Sequence, residues 1–281
     1  MKEIFLPLRT MIFFHYKLIV RSLAIIGLMA ALVSCKSEFE QVRTSGDAEK
    51  IYDKSMEYYE MEDYSKAQTL MEIILSSYRG TEKGEDLYLK YAYSNYYQGL
   101  YISSANLFET FSTTFPSSDF REEADFMAAY SYYLLSPTYR LDQEYTDKAI
   151  ESFQLFVNTF PTSDRVEESN KLIDDLRKKL EEKRLAQAEL YRDLRQYEAA
   201  IQVLDNLLKD FPETKDAQEL RFMIVESSYL LAVNSVYEKQ KERYTKTNSF
   251  AEAFLKRYPE SKHESEVQKY MEVSTKKLNE L

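Results

Sequence analysis

A phrase that returns about every 45 residues constrains this chain more than any other feature. It reads Thr114-Phe115-Pro116-Ser117-Ser118-Asp119, then Thr159-Phe160-Pro161-Thr162-Ser163-Asp164, then Asp210-Phe211-Pro212-Glu213-Thr214-Lys215, and last Arg257-Tyr258-Pro259-Glu260-Ser261-Lys262. Ser77-Tyr78-Arg79-Gly80-Thr81 is a degenerate first copy. A fixed period of this size marks a stack of identical supersecondary units. A proline behind an aromatic residue stops a helix. The pairs Asp119/Glu122, Asp164/Glu167, Asp216/Glu219 and Ser261/Glu264 have the spacing of capping boxes, which predicts that the next helix starts at each of them. With only five glycines and six prolines in 281 residues, few turns remain for short strands, so the chain is expected to be all-α.

Between the stops, small and aromatic residues recur at fixed offsets. The fourth unit carries Ala188, Tyr191, Tyr197, Ala200, Leu204, Leu207 and Pro212, and the first carries Ser55, Tyr58, Tyr64, Ala67, Met71 and Ile74. The second carries Ala92, Tyr101, Ser104, Phe108, Phe111 and Pro116. This resembles the tetratricopeptide pattern, in which small residues let two helices cross closely and aromatic residues fill the space between successive hairpins. The fold expected is a tetratricopeptide-repeat-like α-solenoid of about five helical hairpins. The third and fifth units fit with loop insertions between their helices, the third at residues 135–143. No Pro or Gly interrupts residues 164–196, which predicts one long helix, and the charged stretch 177–184 within it reads as a solvated face with i,i+4 pairs.

Residues 22 to 33 form an apolar run behind Lys17 and Arg21 and ahead of Ser34-Cys35. The run is shorter than the roughly 20 residues that span a bilayer, so it reads as a signal peptide. Leu32-Val33-Ser34-Cys35 resembles a bacterial lipobox, which makes Cys35, the single cysteine, the acylated first residue of the mature chain. Met11 is an alternative start. The organisation expected is a signal peptide over 1–34, a lipidated linker over 35–47, repeats one to three over 48–163, and repeats four and five, joined by the long helix, over 164–281.

The net charge is −10, and residues 1–34 hold Lys2, Arg9, Lys17 and Arg21 against Glu3, so the remainder is more acidic still. Nucleic acid is excluded as a partner, because phosphate binding needs a basic stripe. The two histidines are His15, in the segment expected to be removed, and His263, which stands alone. No metal-ligand spacing, glycine-rich phosphate loop or nucleophile elbow occurs. Neither cofactor, metal nor catalytic residue is expected, and the chain reads as a binding protein, not an enzyme.

Five such units behind a lipobox cysteine, with Phe-Pro-x-Ser turns and the insertion at Ser136-Pro137, resemble the BamD family of lipoproteins of the outer-membrane β-barrel assembly machine. The resemblance covers about Glu49 to Leu278, and Tyr78-Arg79-Gly80-Thr81-Glu82 is similar to the form found in Bacteroidota. It implies an outer-membrane lipid anchor facing the periplasm, docking on the periplasmic domains of BamA, and reception of unfolded β-barrel precursors. A lipid-anchored scaffold for cell-envelope or peptidoglycan machinery is the alternative. In tetratricopeptide arrays the first helix of each unit lines the concave surface. The register of Ser55, Ala92 and Ala129 then places Tyr52, Met56, Tyr59, Tyr93, Tyr96, Tyr130 and Tyr133 along a client-binding groove.

If Cys35 carries the anchor, Cys35→Ser leaves a precursor that no longer partitions into detergent with outer-membrane lipoproteins. Normal acylation of that variant, measured by labelled palmitate, would contradict the assignment.

Overall fold

The structure, a computed structural model, describes residues 37–281; the segment expected to be a signal peptide, Cys35 and His15 lie outside them. The described residues form twelve helices and no strand. A short α1 (Glu38–Arg43) precedes α2 (Ala48–Glu60), α3 (Tyr64–Ile74), α4 (Glu82–Tyr97) and α5 (Tyr101–Thr114). Then come α6 (Arg121–Leu135), α7 (Glu144–Thr159), α8 (Val166–Asp193), α9 (Tyr197–Asp210), α10 (Ala217–Val233), α11 (Tyr237–Arg257) and the final α12 (Glu264–Glu280). These are five hairpins, α2/α3 to α10/α11, followed by one helix. The chain divides into two compact units, one ending at Leu107 and the other running Phe108–Leu281.

The small residues sit where the repeat register demands. Ser55, Ala67, Ala92, Ala129, Ala149, Ala188, Ala200 and Ala251 are all fully buried, and each occupies a first or second helix of a hairpin. A methyl or hydroxymethyl group lets the backbones approach, and the larger side chains then close around the contact. In the first unit Ile51, Leu70, Met71, Ile74 and Leu87 complete the core. In the second, Ala188, Leu204, Leu207, Leu220 and Ile224 form one cluster, and Phe222, Val225, Ala251, Phe254 and Val267 form the next.

The hairpin tips are equally regular. Glu62, Gly99 and Arg195 have φ of 59°, 74° and 57°, each the central residue of a three-residue connection between the two helices. A left-handed residue reverses the chain in minimum length, which costs glycine nothing and other residues about 1–2 kcal/mol.

The capping boxes do not form. α6 and α8 begin after Phe120 and Arg165, and none of α6, α8, α10 and α12 has a side-chain cap. The Ser or Thr of the repeated phrase takes up a backbone donor one step earlier. Ser118, Ser163, Thr214 and Ser261 each accept the backbone N–H two residues on, from Phe120, Arg165, Asp216 and His263, at 3.0–3.1 Å. Such a hydroxyl turn competes with a helix cap for the same orphan donors.

Two glutamates expected to cap, Glu122 and Glu219, reach instead across their own hairpin. The Ser163 hydroxyl donates to Glu122 of α6, and in the same way the Thr214 hydroxyl donates to Glu181 of α8. In the last hairpin Gln218 donates to Ser261 at 2.7 Å, and His263 Nε2 meets Glu219 at 2.9 Å. His263 also stacks on Phe222, with centroids 3.7 Å apart, and its hydrogen bond holds the Glu219 carboxyl below the ordinary range. The first hairpin uses Glu49, which accepts from the Tyr78 hydroxyl at 2.8 Å and pairs with Lys83. One bond thus recurs: the first helix of a hairpin holds the turn that ends the second.

Two further expectations change, and two hold. The charged stretch of α8 is not laced by i,i+4 pairs. Arg177 reaches Glu213 at 2.7 Å, Glu181 reaches Thr214, and Lys179 and Lys183 reach back to the insertion between α6 and α7. That insertion is a pinned loop: Lys179 donates to Ser136 Oγ at 2.7 Å, Lys183 to the Leu141 carbonyl at 2.6 Å, and buried Gln143 to the Thr138 and Leu141 carbonyls. In the fifth unit the extra residues lengthen a helix in place of a loop. α11 has 21 residues against 14 in α9, behind a connection of only residues 234–236. The long helix α8 has 28 residues, roughly 42 Å at 1.5 Å per residue.

Ala200→Leu or Ala188→Leu should overpack a closed crossing and cost about 1–3 kcal/mol. Thermal unfolding checks this, and an unchanged midpoint in both variants would show that the crossings are elsewhere.

Candidate partner-binding faces

In the first unit the residues expected in the groove separate by environment. All of Tyr52, Met56, Tyr59, Tyr93 and Tyr96 are half-buried, and the first three pack on the core of the α2/α3 hairpin. Tyr52 and Tyr59 lie seven residues apart on α2, so they share one face. Opposite them α4 presents Lys83, Asp86, Lys90, Tyr93 and Tyr97 at alternating spacings of three and four, which is again a single face. The two faces meet. Tyr52 points its hydroxyl at Asp86 Oδ2, at 3.5 Å; Lys83 lies 4.9 Å from the Tyr52 ring and Lys90 5.8 Å from the Tyr59 ring. Lys90 and Asp86 bridge at 2.8 Å between the two aromatic ends.

Near the hairpin tips the aromatic residues converge. Tyr64 stacks on Tyr97 at 4.6 Å between centroids, and Tyr59, Tyr93 and Tyr96 surround that pair at 5.5–5.8 Å. Tyr101 closes the set against Tyr96 at 5.6 Å. Tyr97 is the member that faces outward, 51% exposed, and Met61, Leu100 and Ile102 are exposed in the same stretches of chain. Burial raises the Tyr59 hydroxyl above its ordinary range, with Tyr97 and Tyr64 adding to it, so it is a neutral donor at physiological pH. The surface therefore offers flat apolar faces, phenolic donors and one ion pair, a chemistry suited to holding a peptide.

Sequence reasoning missed Tyr64, Tyr97, Tyr101 and the Lys83/Asp86/Lys90 row. The signal was present: residues 83, 86, 90, 93 and 97 make an unbroken helical stripe, and Tyr64 and Tyr101, like Tyr197 and Tyr237, open the second helix of a hairpin.

The second unit has its own aromatic pair. Tyr130 and Tyr133 are half-buried and stack on each other at 5.7 Å, with Phe126 behind Tyr130 at 5.9 Å and the Arg165 guanidinium 4.4 Å from the Phe126 ring. A different apolar surface lies at the tips of the fourth and fifth hairpins. Leu190, Leu194, Val233, Val236 and Tyr237 are all exposed there, Tyr237 to 66%. The two tips are tied together by Arg192 with Glu226 and by Arg243 with Glu198 at 3.3 Å. Five large apolar side chains exposed on two joined tips are more than the scattered single residues of an ordinary surface.

No group of three or more potential metal ligands occurs among the described residues, and none of their helices is long and apolar enough to cross a membrane.

Comparison with known proteins places the chain. The family YfiO, described as outer membrane lipoprotein, matches residues 44–243. The outer membrane protein assembly factor BamD of Rickettsia prowazekii (strain Madrid E) is 23% identical over 218 residues, 78% of this chain and 86% of that protein. Among solved structures, the TPR domain of P58(IPK) is 14% identical with a TM-score of 0.40, over 89% of this chain and 72% of that one. A thermophilic TPR protein of Thermus thermophilus is 14% identical with a TM-score of 0.31, over 82% and 99%. Structural likeness at these scores says nothing about partners. The family match spans well over half of the sequence and includes all five hairpins to the middle of α11, so this chain belongs to the YfiO family of outer membrane lipoproteins.

Proposed function

We propose that this protein is an outer-membrane protein assembly factor: a non-catalytic scaffold, anchored through acylated Cys35 and facing the periplasm, that docks on BamA and receives unfolded β-barrel precursors. The observation that carries this reading is the family match over residues 44–243, joined by a relative named as an assembly factor. The exposed surfaces supply the physical means. A protein that hands on unfolded chains needs one site for the chain and another for the machine that takes it.

For the client we assign the aromatic face of the first unit, centred on Tyr59, Tyr93, Tyr96 and exposed Tyr97, with Tyr52 and Met56 at its core side. β-Barrel strands alternate apolar and polar residues. An extended segment of that kind can lay aromatic side chains on the tyrosines while its own polar groups meet phenolic hydroxyls and the Asp86–Lys90 pair. Tyr130 and Tyr133 form a second aromatic face of the same chemistry in the other unit. For BamA we assign the joined tips of the fourth and fifth hairpins, where exposed Tyr237 is an anchor of the type that dominates protein interfaces and Leu194 adds apolar area beside it.

Two experiments test the assignment. A photo-cross-linker at Tyr59, Tyr93, Tyr97 or Tyr130 should capture precursor termini in intact membranes, and one at Glu109, on α5, should not. Capture from Glu109 alone would place the client elsewhere, and capture of cell-wall enzymes from the tyrosines would favour the envelope-scaffold alternative. Separately, Leu194→Asp with Tyr237→Asp should abolish co-purification of BamA while leaving the melting temperature within a few degrees, because both side chains are exposed. Undiminished recovery of BamA would move its docking site away from these tips.

A further inference from the structure

A groove in the second unit adjoins the joined tips of the fourth and fifth hairpins, shares their Arg243–Glu198 pair, and runs between the second helices of those hairpins, α9 and α11, with α10 beneath. Its volume is about 390 Å³. The floor is mostly apolar, built from Ile201, Ile224, Leu231 and Phe250, with the buried hydroxyl of Ser228 among them bonded to Thr247. Its walls carry opposite charge. On α9 the lining residues are Glu198, Gln202 and Asp205; on α11 the basic set Lys239, Arg243 and Lys246 outnumbers one acid, Glu242. Each set has the spacing i, i+4, i+7, so each forms one stripe of about two helical turns, roughly 10 Å long.

The basic stripe is out of character for the chain. With 47 acidic residues against 37 basic ones, the protein carries a net negative charge that disfavours acidic partners overall. Structural duty accounts for only one member of the stripe. Arg243 is held by Ser235 Oγ at 2.6 Å and Glu198 at 3.3 Å, bridging the walls. Lys239 is exposed, and Lys246 pairs only within its own helix, with Glu242 at 2.7 Å. Across from them Asp205 likewise pairs only within α9, with Lys209. Such exposed pairs are worth little and exchange readily for a partner's charges.

We infer that this groove docks an amphipathic helix of a partner protein, with its apolar stripe on the Ile201/Ile224/Leu231/Phe250 floor, its carboxylates toward α11 and its basic side chains toward α9. A two-turn trough with an apolar floor has the shape for a helix, whose apolar positions recur at i, i+3/i+4 and i+7. An extended segment alternates its side chains to opposite sides and would leave half of them off the floor. The order of the walls sets the direction in which the helix lies: turned end for end, the same helix meets like charge on both sides.

The test uses two synthetic helical peptides with the same apolar stripe, one with an acidic and a basic flank and one with two basic flanks, titrated against the full-length protein in detergent by fluorescence anisotropy. The peptide with one flank of each charge is expected to bind about tenfold or more tightly than the doubly basic one, and the double variant Lys239→Glu/Lys246→Glu, which makes both walls acidic, is expected to reverse that order. Both substitutions are at exposed positions, and circular dichroism verifies the fold. Equal binding of the two peptides, or an unreversed preference in the double variant, would overturn the inference. So would concentration-dependent self-association that the double variant abolishes, since a second copy of the chain would then be the occupant.

Discussion

Everything in this protein depends on how closely two helices can cross. Ser55, Ala92, Ala129 and Ala188 occupy the same position in four successive first helices, and each is fully buried. Because interiors are packed to the density of organic crystals, one small residue at a crossing decides the distance between backbones and hence where every larger side chain must go. The cores then follow in sequence order, Met71 and Ile74 in one hairpin, Leu204 and Leu207 in another. Each unit of a repeat array buries its apolar face only against its neighbours, so this local contact is the source of long-range order.

A second bond fixes the angle at which one hairpin follows another. The turn after each second helix is built on an aromatic residue and, in four cases, on a hydroxyl that receives a backbone N–H. That turn is held by an acid or amide on the first helix, as with Glu122 and Ser163, Glu181 and Thr214, and Gln218 and Ser261. In the first two pairs the hydroxyl gives its proton outward and takes the amide inward, so a single side chain satisfies the start of one helix and ties it to another. The pinned insertion between α6 and α7 extends the same economy: Lys183 of α8 satisfies the Tyr139 and Leu141 carbonyls, which a loop of that length would otherwise leave to water, and Lys179 holds the Ser136 hydroxyl.

Apolar exposure is distributed in a way that the core does not require. Large exposed side chains gather at hairpin tips, Tyr97 and Leu100 in the first unit and Leu194, Val236 and Tyr237 in the second. The apolar groove between α9 and α11 has charged walls instead. Three surfaces of distinct chemistry on one scaffold are what a protein needs if it must hold several partners at once.

Much of this was legible in the residues. The repeat period, the aromatic-proline stops and the small-residue register determined five hairpins, because helix termination and close packing are local demands that a sequence must meet at each copy. The aromatic stripe on α4 was also legible, through the spacing of 83, 86, 90, 93 and 97. What only the tertiary structure decided concerns side chains with two competing partners at similar sequence cost. Glu122 and Glu219 could cap their own helix or reach a turn 41 or 44 residues away, and spacing alone favours the nearer choice. The extra residues of the fifth unit could make a loop or lengthen α11, and neither reading disturbs the position of Ala251 at the crossing. In both cases local propensity is nearly indifferent, and the contact with a neighbouring helix, which no short-range pattern encodes, sets the outcome.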